Sequence, residues 1–427
     1  MPSTLLEKFS PRLRSLIGLD RGIKTGAIFF EEKMNKLTNL MVGNAYIYGF
    51  GTSAMWLATQ LPGKFKAFID SDHKKRGQSY MDLSVYSPED VDSKEVHTIV
   101  IAAVDIHEIL PNVKNIFPNA HIVALGEYIR YGLINEWIDG KSPSFVEYSL
   151  KAVEICHKAF LQNDKTFIRS LDIVITEKCT LKCIDCSNLM QYYDNPINYD
   201  FENIKTSFAS LMNSISHIYE VRVIGGEPFI NKDAYKIIDF FINHKQVSKV
   251  VIYSNATINL KETEMMNFSN PKLVFFITDY GNLSKNTDKV LKILNKMNVA
   301  FRSVPPNNWT DSAKIVLHNR TFEEHQDIFN KCCGKNLYTL QDSKIYRCPF
   351  TANAEKLKAI PQDSLNSVNV NDSAILISNY LYSDSYLPAC TMCNGRSYDA
   401  PEIVPAIQTK EVLFYKKEHY VEFREQK

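Results

Sequence analysis

The chain has 427 residues, which at roughly 100–200 residues per domain points to more than one domain. Hydrophobic residues make up 45% and charged residues 23%, with a formal net charge of +1. That balance fits a folded globular chain and gives no basis for a nucleic-acid partner or a polybasic membrane patch.

No run of about 18 apolar residues occurs, so no membrane span is expected. Met1 to Ile17 lacks the apolar core of a signal peptide, and a cytoplasmic location is the expectation.

Helical signals open the chain, including a mixed apolar and charged stretch from Ile28 to Leu40. Short apolar runs then recur at Ala45–Tyr48, Lys66–Asp70, His97–Val104 and Ala120–Ala124, and the spacing predicts a small parallel sheet. Gly49-x-Gly51-x-x-Ala54 turns from the first run into a helical segment, and Asp70 ends the second. This is a shortened dinucleotide-binding pattern. Glycines at a helix N-terminus favour phosphate, and the acid suits a ribose. Gly49, Gly51 and Asp70 are therefore candidate nucleotide contacts, and a ligand-free scaffold is the rival reading.

A connecting helix is expected from Phe145 to Thr166. A second α/β series follows. Strands are predicted at Leu171–Thr176, Glu220–Ile224, Lys249–Tyr253, Leu273–Thr278 and Ala300–Val304, with helices such as Phe201–Ile218 and Lys232–Asn243 between them. From about Phe322 the segments shorten. A hairpin is expected around Gln341-Asp342-Ser343-Lys344, in a region with five of the nine cysteines.

Clustered cysteines in a long chain without an export signal point to metal rather than disulfides. Cys156 stands alone and reads as a small buried hydrophobe. Cys179, Cys183 and Cys186 follow the strand Leu171–Thr176, with three and then two residues between them. Three thiolates on a four-iron cube leave one iron open for a substrate or cofactor. A zinc knuckle is the rival reading. Zinc normally takes four ligands, and no fourth Cys or His lies nearby in sequence.

The triplet after the first strand of a β/α series resembles the radical S-adenosylmethionine superfamily. Gly225-Gly226-Glu227-Pro228, after the second strand, resembles that family's Gly-Gly-Glu-Pro segment. The resemblance implies a partial (β/α)6 barrel holding a 4Fe–4S cluster and S-adenosylmethionine. It assigns residues 225–228 to the methionine amino group, where glycines allow close approach and a carboxylate complements an ammonium. Ser254 and Asn255 fall where relatives contact the ribose and carboxylate. Asp279, after the fourth strand, is a possible cofactor or substrate contact. One departure is Asp185, where the family often has an aromatic near the adenine. The implied chemistry is reductive cleavage of S-adenosylmethionine, with hydrogen abstraction by a 5′-deoxyadenosyl radical. A flavodoxin or ferredoxin would donate the electron.

Cys348, Cys390, Cys393 and one of the adjacent Cys332 and Cys333 form a second set. Beside a radical core this resembles a twitch or SPASM-like domain with a second 4Fe–4S cluster. Cys333, which precedes Gly334, is the preferred ligand over Cys332. On spacing alone zinc competes.

The expected division is a Rossmann-like domain at 1–145, a connecting helix at 146–165, a radical core at 166–321 and an auxiliary domain at 322–427. The N-terminal part resembles domains attached to nucleotide-sugar-modifying enzymes of surface polysaccharide pathways. That makes dehydrogenation or epimerisation of a sugar, nucleotide-sugar or related metabolite the first expectation. A peptide- or protein-modifying maturase is the second, and a non-catalytic iron–sulfur electron carrier the third.

Overall fold

The computed structural model describes residues 27–129, 137–141, 143–161, 166–312, 314–397 and 400–413. The helical signals before residue 27 and the end of the connecting segment at 162–165 lie outside them. The described residues divide into two compact units, one within 14–164 and the other within 165–427.

In the first unit α1 (Ala27–Leu40) leads into β1 (Ala45–Tyr48), α2 (Thr52–Gln60), β2 (Phe68–Ile69), β3 (Ser79–Tyr80) and β4 (Leu83–Tyr86). Next come β5 (Thr98–Ile101), α3 (Ile106–Ile116), β6 (His121–Ala124) and α4 (Pro143–Leu161). The strand order is β3-β4-β2-β1-β5-β6, parallel throughout except for the β3–β4 pair. The runs Ala-Tyr-Ile-Tyr and Thr-Ile-Val-Ile are buried along their whole length, as strands covered on both faces must be. Alternate residues feed two cores. Ile47 and Val100 pack with Trp56 and Leu57, while Tyr48 and Ile101 pack with Ile106 and Phe117. The chain moves to one side of β1 and returns on the other at β5, which makes their carboxyl ends a switch point of a doubly wound sheet.

The second unit runs through β7 (Thr166–Thr176), α5 (Phe201–Met212), β8 (Ile215–Gly225), α6 (Ala234–Asn243), β9 (Val247–Ser254), α7 (Glu262–Met265), β10 (Leu273–Thr278), α8 (Thr287–Lys296) and β11 (Ala300–Val304). Then follow β12 (Trp309–Thr310), α9 (Phe322–Lys331), β13 (Tyr338–Gln341), β14 (Lys344–Tyr346), α10 (Pro349–Lys356), β15 (Ser367–Asn369), α11 (Ala374–Leu381) and β16 (Glu402–Ile403).

Strands β7 to β11 lie parallel in chain order. The helices cover them by an amphipathic stripe. In α6 the buried positions are Ala234, Ile237, Ile238, Phe241 and Ile242, at helical spacing. A sixth parallel strand, β13, lies beside β7 rather than beyond β11. The antiparallel strands β14 and β15 then extend the same eight-stranded sheet. The hairpin turn at Asp342-Ser343 has positive φ at both residues, which matches the twist of the strands it joins. Tyr338, Leu340, Ile345 and Ile377 share one core with the β7–β11 strands, so the hairpin is built into the sheet rather than standing apart.

The helix expected over Phe201–Ile218 stops at Met212. Residues from Ile215 onward instead form a parallel ladder with β7, from Thr166–Ile215 to Thr176–Gly225. Ladder pairing and the β-branched run outweigh the local helical pattern.

Candidate metal centre

The loop after β7 carries Cys179, Cys183 and Cys186, and all three line one cavity of about 310 Å3. Glu177 pins the loop's start: its buried carboxylate accepts from Tyr199 Oη and from the Ile197 N–H, each at 2.8 Å. Burial pushes all three thiols up, Cys183 to about 11, so thiolates here require a nearby cation. Each sulfur also meets N–H donors. Asn255 Nδ2 donates to Cys179 at 3.6 Å, Gln408 Nε2 to Cys183 at 3.2 Å, and the backbone of Asn188 and Met190 to Cys186. Buried thiols facing one cavity with N–H groups aimed at sulfur form a donor set that fits an iron–sulfur cluster. Among the described residues, no group of three or more His, Cys, Asp and Glu side chains is gathered for a single metal ion. A cube needs a wider spacing of thiolates than one ion does.

Gly225 and Gly226 line the same cavity. Their lack of a side chain serves the cysteine loop. A Cβ on Gly225 would stand 2.2 Å from the Thr176 carbonyl, and one on Gly226 2.2 Å from Lys178 O and 2.7 Å from the Cys179 Cβ. Backbone bonds from Gly226 N to Thr176 O and from Glu227 N to Lys178 O clamp the two segments.

Glu227 is not among the residues that line the cavity. It is fully buried, accepting from Ser254 Oγ at 3.0 and 3.1 Å, from Asn255 N at 2.9 Å and from Phe229 N at 3.5 Å. Burial raises its pKa to about 7 against these donors. Glu227 therefore ties the end of β9 to the glycine segment, and Pro228 is buried behind it.

Ser254 and Asn255 both line the cavity. Asn255 is oriented by donation to its Oδ1 from Thr257 N and Oγ1, at 3.0 and 2.6 Å. Asp279 lies in a neighbouring cavity of about 560 Å3 with Val304, Pro305, Pro405 and Ala406. Tyr280 lines both.

Sequence reasoning missed several cavity residues. Asp172 and Arg222 are register partners on β7 and β8, joined at 2.5 Å, and both line the cavity. Burial pushes the Asp172 carboxyl up, opposed by the Arg222 guanidinium. A charged pair inside two apolar strands was the available signal. Tyr280 and Trp309 meet edge-to-face at 6.4 Å on the cavity wall, supplying aromatic surface that Asp185 lacks.

The second cysteine set is brought together by α9, β14, α10 and the segment at 388–397. Cys348, Cys390 and Cys393 pack against Leu189, Phe350 and Met392. Burial raises all three, and Cys332 adds to the effect on each. Cys333 is exposed. Donors again point at sulfur: Arg396 N to Cys332 at 3.3 Å, Gly395 N to Cys393 at 3.2 Å and Thr351 N to Cys348 at 3.5 Å. The thiol gathered with the other three is that of Cys332, against the sequence preference for Cys333. The Cys333 N–H is held by Arg396 O, which leaves its side chain on the outer side.

In the first unit Gly49, Gly51 and Asp70 meet at the ends of β1 and β2. Gly49 has φ +104, and a Cβ there would stand 3.1 Å from that of Ala103, beyond β5. The Asp70 carboxylate accepts from Phe50 N at 2.6 Å, Asp72 N at 2.9 Å and Lys75 Nζ at 3.0 Å. The acid closes the loop onto the protein.

The three-cysteine loop and the Gly-Gly segment face one cavity. That is the arrangement the radical S-adenosylmethionine resemblance implies.

No protein-family profile and no curated protein sequence matches the chain. Among solved structures, BtrN in complex with AdoMet and 2-DOIA is 14% identical, over 56% of this chain and 100% of its own, with a TM-score of 0.36. The anSMEcpe structure with bound AdoMet is 12% identical, over 61% and 96%, with a TM-score of 0.37. Streptococcus suis SuiB bound to precursor peptide SuiA is 13% identical, over 63% and 80%, with a TM-score of 0.31. Likenesses of this size assign no chemistry to the chain. Among the described residues, no helix is long and apolar enough to cross a membrane.

Proposed function

We propose that this protein is a radical S-adenosylmethionine enzyme, with Cys179, Cys183 and Cys186 holding a 4Fe–4S cluster. The observation that carries the reading is the shared cavity of the three thiols, Gly225, Gly226, Ser254 and Asn255. When bound, the cluster and S-adenosylmethionine supply a hydrogen-abstracting radical. The chain positions and shields. The backbone of Gly225 and Gly226 offers carbonyls to an ammonium, Ser254 and Asn255 offer polar contacts to ribose and carboxylate, and Tyr280 and Trp309 offer flat apolar surface. An electron carrier has no use for such a cavity.

Cys332, Cys348, Cys390 and Cys393 hold a second cluster in this reading. Four thiolates saturate it, so it accepts or relays an electron or serves the fold. The substrate is a sugar, nucleotide-sugar or related polar metabolite, undergoing dehydrogenation or epimerisation. Support comes from Asp172, Arg222, Asn188 and Arg396 on the cavity wall and from the doubly wound first unit. Nucleotide binding in that unit falls to the Gly49–Gly51 loop and to Asp70, whose carboxylate also shapes the loop.

Anaerobic reconstitution followed by reductant and S-adenosylmethionine tests the core reading. About eight irons per chain and formation of 5′-deoxyadenosine are expected. An intact, reducible cluster that forms no 5′-deoxyadenosine would sink it. Titration of the full chain with a nucleotide-sugar panel tests the substrate class, and uniform absence of binding would remove it.

A further inference from the structure

Segment 401–411 crosses back over the cysteine loop and places an amide on one of its sulfurs. Cys183 and Gln408 form an antiparallel bridge. Ile184 N donates to Ile407 O at 2.8 Å, and Thr409 N to Lys182 O at 2.6 Å. The Gln408 side chain completes the clasp. Its Oε1 accepts from Lys182 N at 2.8 Å. Its Nε2 donates to Ala406 O at 2.8 Å and to Cys183 Sγ at 3.2 Å. An amide with two N–H groups can make both donations at once. Pairing of β16 with β12 anchors the segment, and Ala406, held at φ +60, packs with Leu181 and Cys183.

We infer that Gln408 tunes the reduction potential of the cluster held by the triplet, through its N–H···S bond to Cys183. Reduction adds negative charge that spreads onto the thiolates. A donor aimed at sulfur stabilises that charge and favours the reduced state. Gln408 is a positioning residue, since it acts through Cys183. The inference rests on the cluster reading above.

The test is the midpoint potential of the triplet's cluster, by mediated titration read by electron paramagnetic resonance. Cys332→Ser and Cys348→Ser in every sample remove the second set's signal. Gln408→Glu keeps the acceptor for Lys182 N and loses the donor, and Gln408→Met loses both. Both are expected to lower the potential, with the reduction equilibrium changing about tenfold against reduction, 59 mV for one electron. The Glu variant should shift further because it adds charge. An unshifted potential in both variants, with iron content unchanged, overturns the role of Gln408 and leaves the cluster reading standing. A parent protein whose iron signal persists when Cys179, Cys183 and Cys186 are replaced overturns the cluster reading itself, and the Gln408 assignment with it. Should Gln408→Glu lose iron, Gln408→Asn decides: a shorter amide short of Cys183 is expected to shift the potential, and no shift overturns the inference.

Discussion

Gly226 has no room for a side chain. Gly226→Ala places a Cβ against the carbonyl of Lys178, which belongs to backbone. Either the glycine segment or the cysteine loop must move. Iron retention and 5′-deoxyadenosine formation are expected to fall together, by at least tenfold for the latter, measured on the reconstituted protein. The Asp172–Arg222 pair gives a second expectation. Arg222→Met leaves a buried carboxylate without its partner and is expected to destabilise by about 3–5 kcal/mol in urea unfolding. Adding Asp172→Leu should restore most of that loss, because the residual charge is gone. His157 gives a third. Gly126 N donates to its Nδ1 at 3.1 Å, so the proton sits on Nε2 and is given to Ala103 O at 2.7 Å. Burial lowers its pKa to about 4. Between there and the ordinary 6.5, the unfolded chain binds a proton that the folded one refuses. The contribution is complete above pH 6.5 and fades as pH falls towards 4, by about 3 kcal/mol. Urea unfolding followed at the buried Trp56 should show this slope, and His157→Phe should lack it.

At the scale of elements, the two adjacent cysteines before Gly334 make the sharpest comparison. Cys332→Ser should cut the iron from about eight to about four per chain, while Cys333→Ser should leave it unchanged. Parallel metal analysis of both variants checks this, and zinc in the second site would correct its identity. Sequence could not separate the two residues, because they are neighbours and the choice belongs to a segment 64 positions on from Cys332. Arg396 donates its N–H to the Cys332 sulfur and takes the Cys333 N–H on its own carbonyl, which settles which thiol turns inward. The cysteine triplet was legible because its spacing is local. Strands β9 and β10 were legible because Val250–Tyr253 and Leu273–Ile277 are continuous apolar runs. The role of Glu227 was hidden, since its burial depends on Ser254 at the end of another strand. Gln408 was hidden for the same reason, lying 225 positions from Cys183. Asp172 and Arg222 were readable as charges inside apolar strands, but only the register makes them a pair.

At the scale of the whole molecule, residues 165–427 gather the candidate cluster cavity, the second cysteine set and the closing segment into one compact unit. Strand β13 has a consequence for how that unit comes into being. It covers one side of β7, pairing Tyr338 with Leu171 and Leu340 with Ile173. A ribosome releases β7 long before β13. Through that interval β7 pairs only with β8, and its other hydrogen-bonding edge, lined with Ile and Val, has no native partner. Such an edge invites pairing with other chains. Nascent chains ending near Lys331 should therefore aggregate or recruit chaperones, and chains extended far enough beyond Tyr346 for β13 to leave the ribosome should not. Sedimentation of stalled ribosome–chain complexes of the two lengths would measure it.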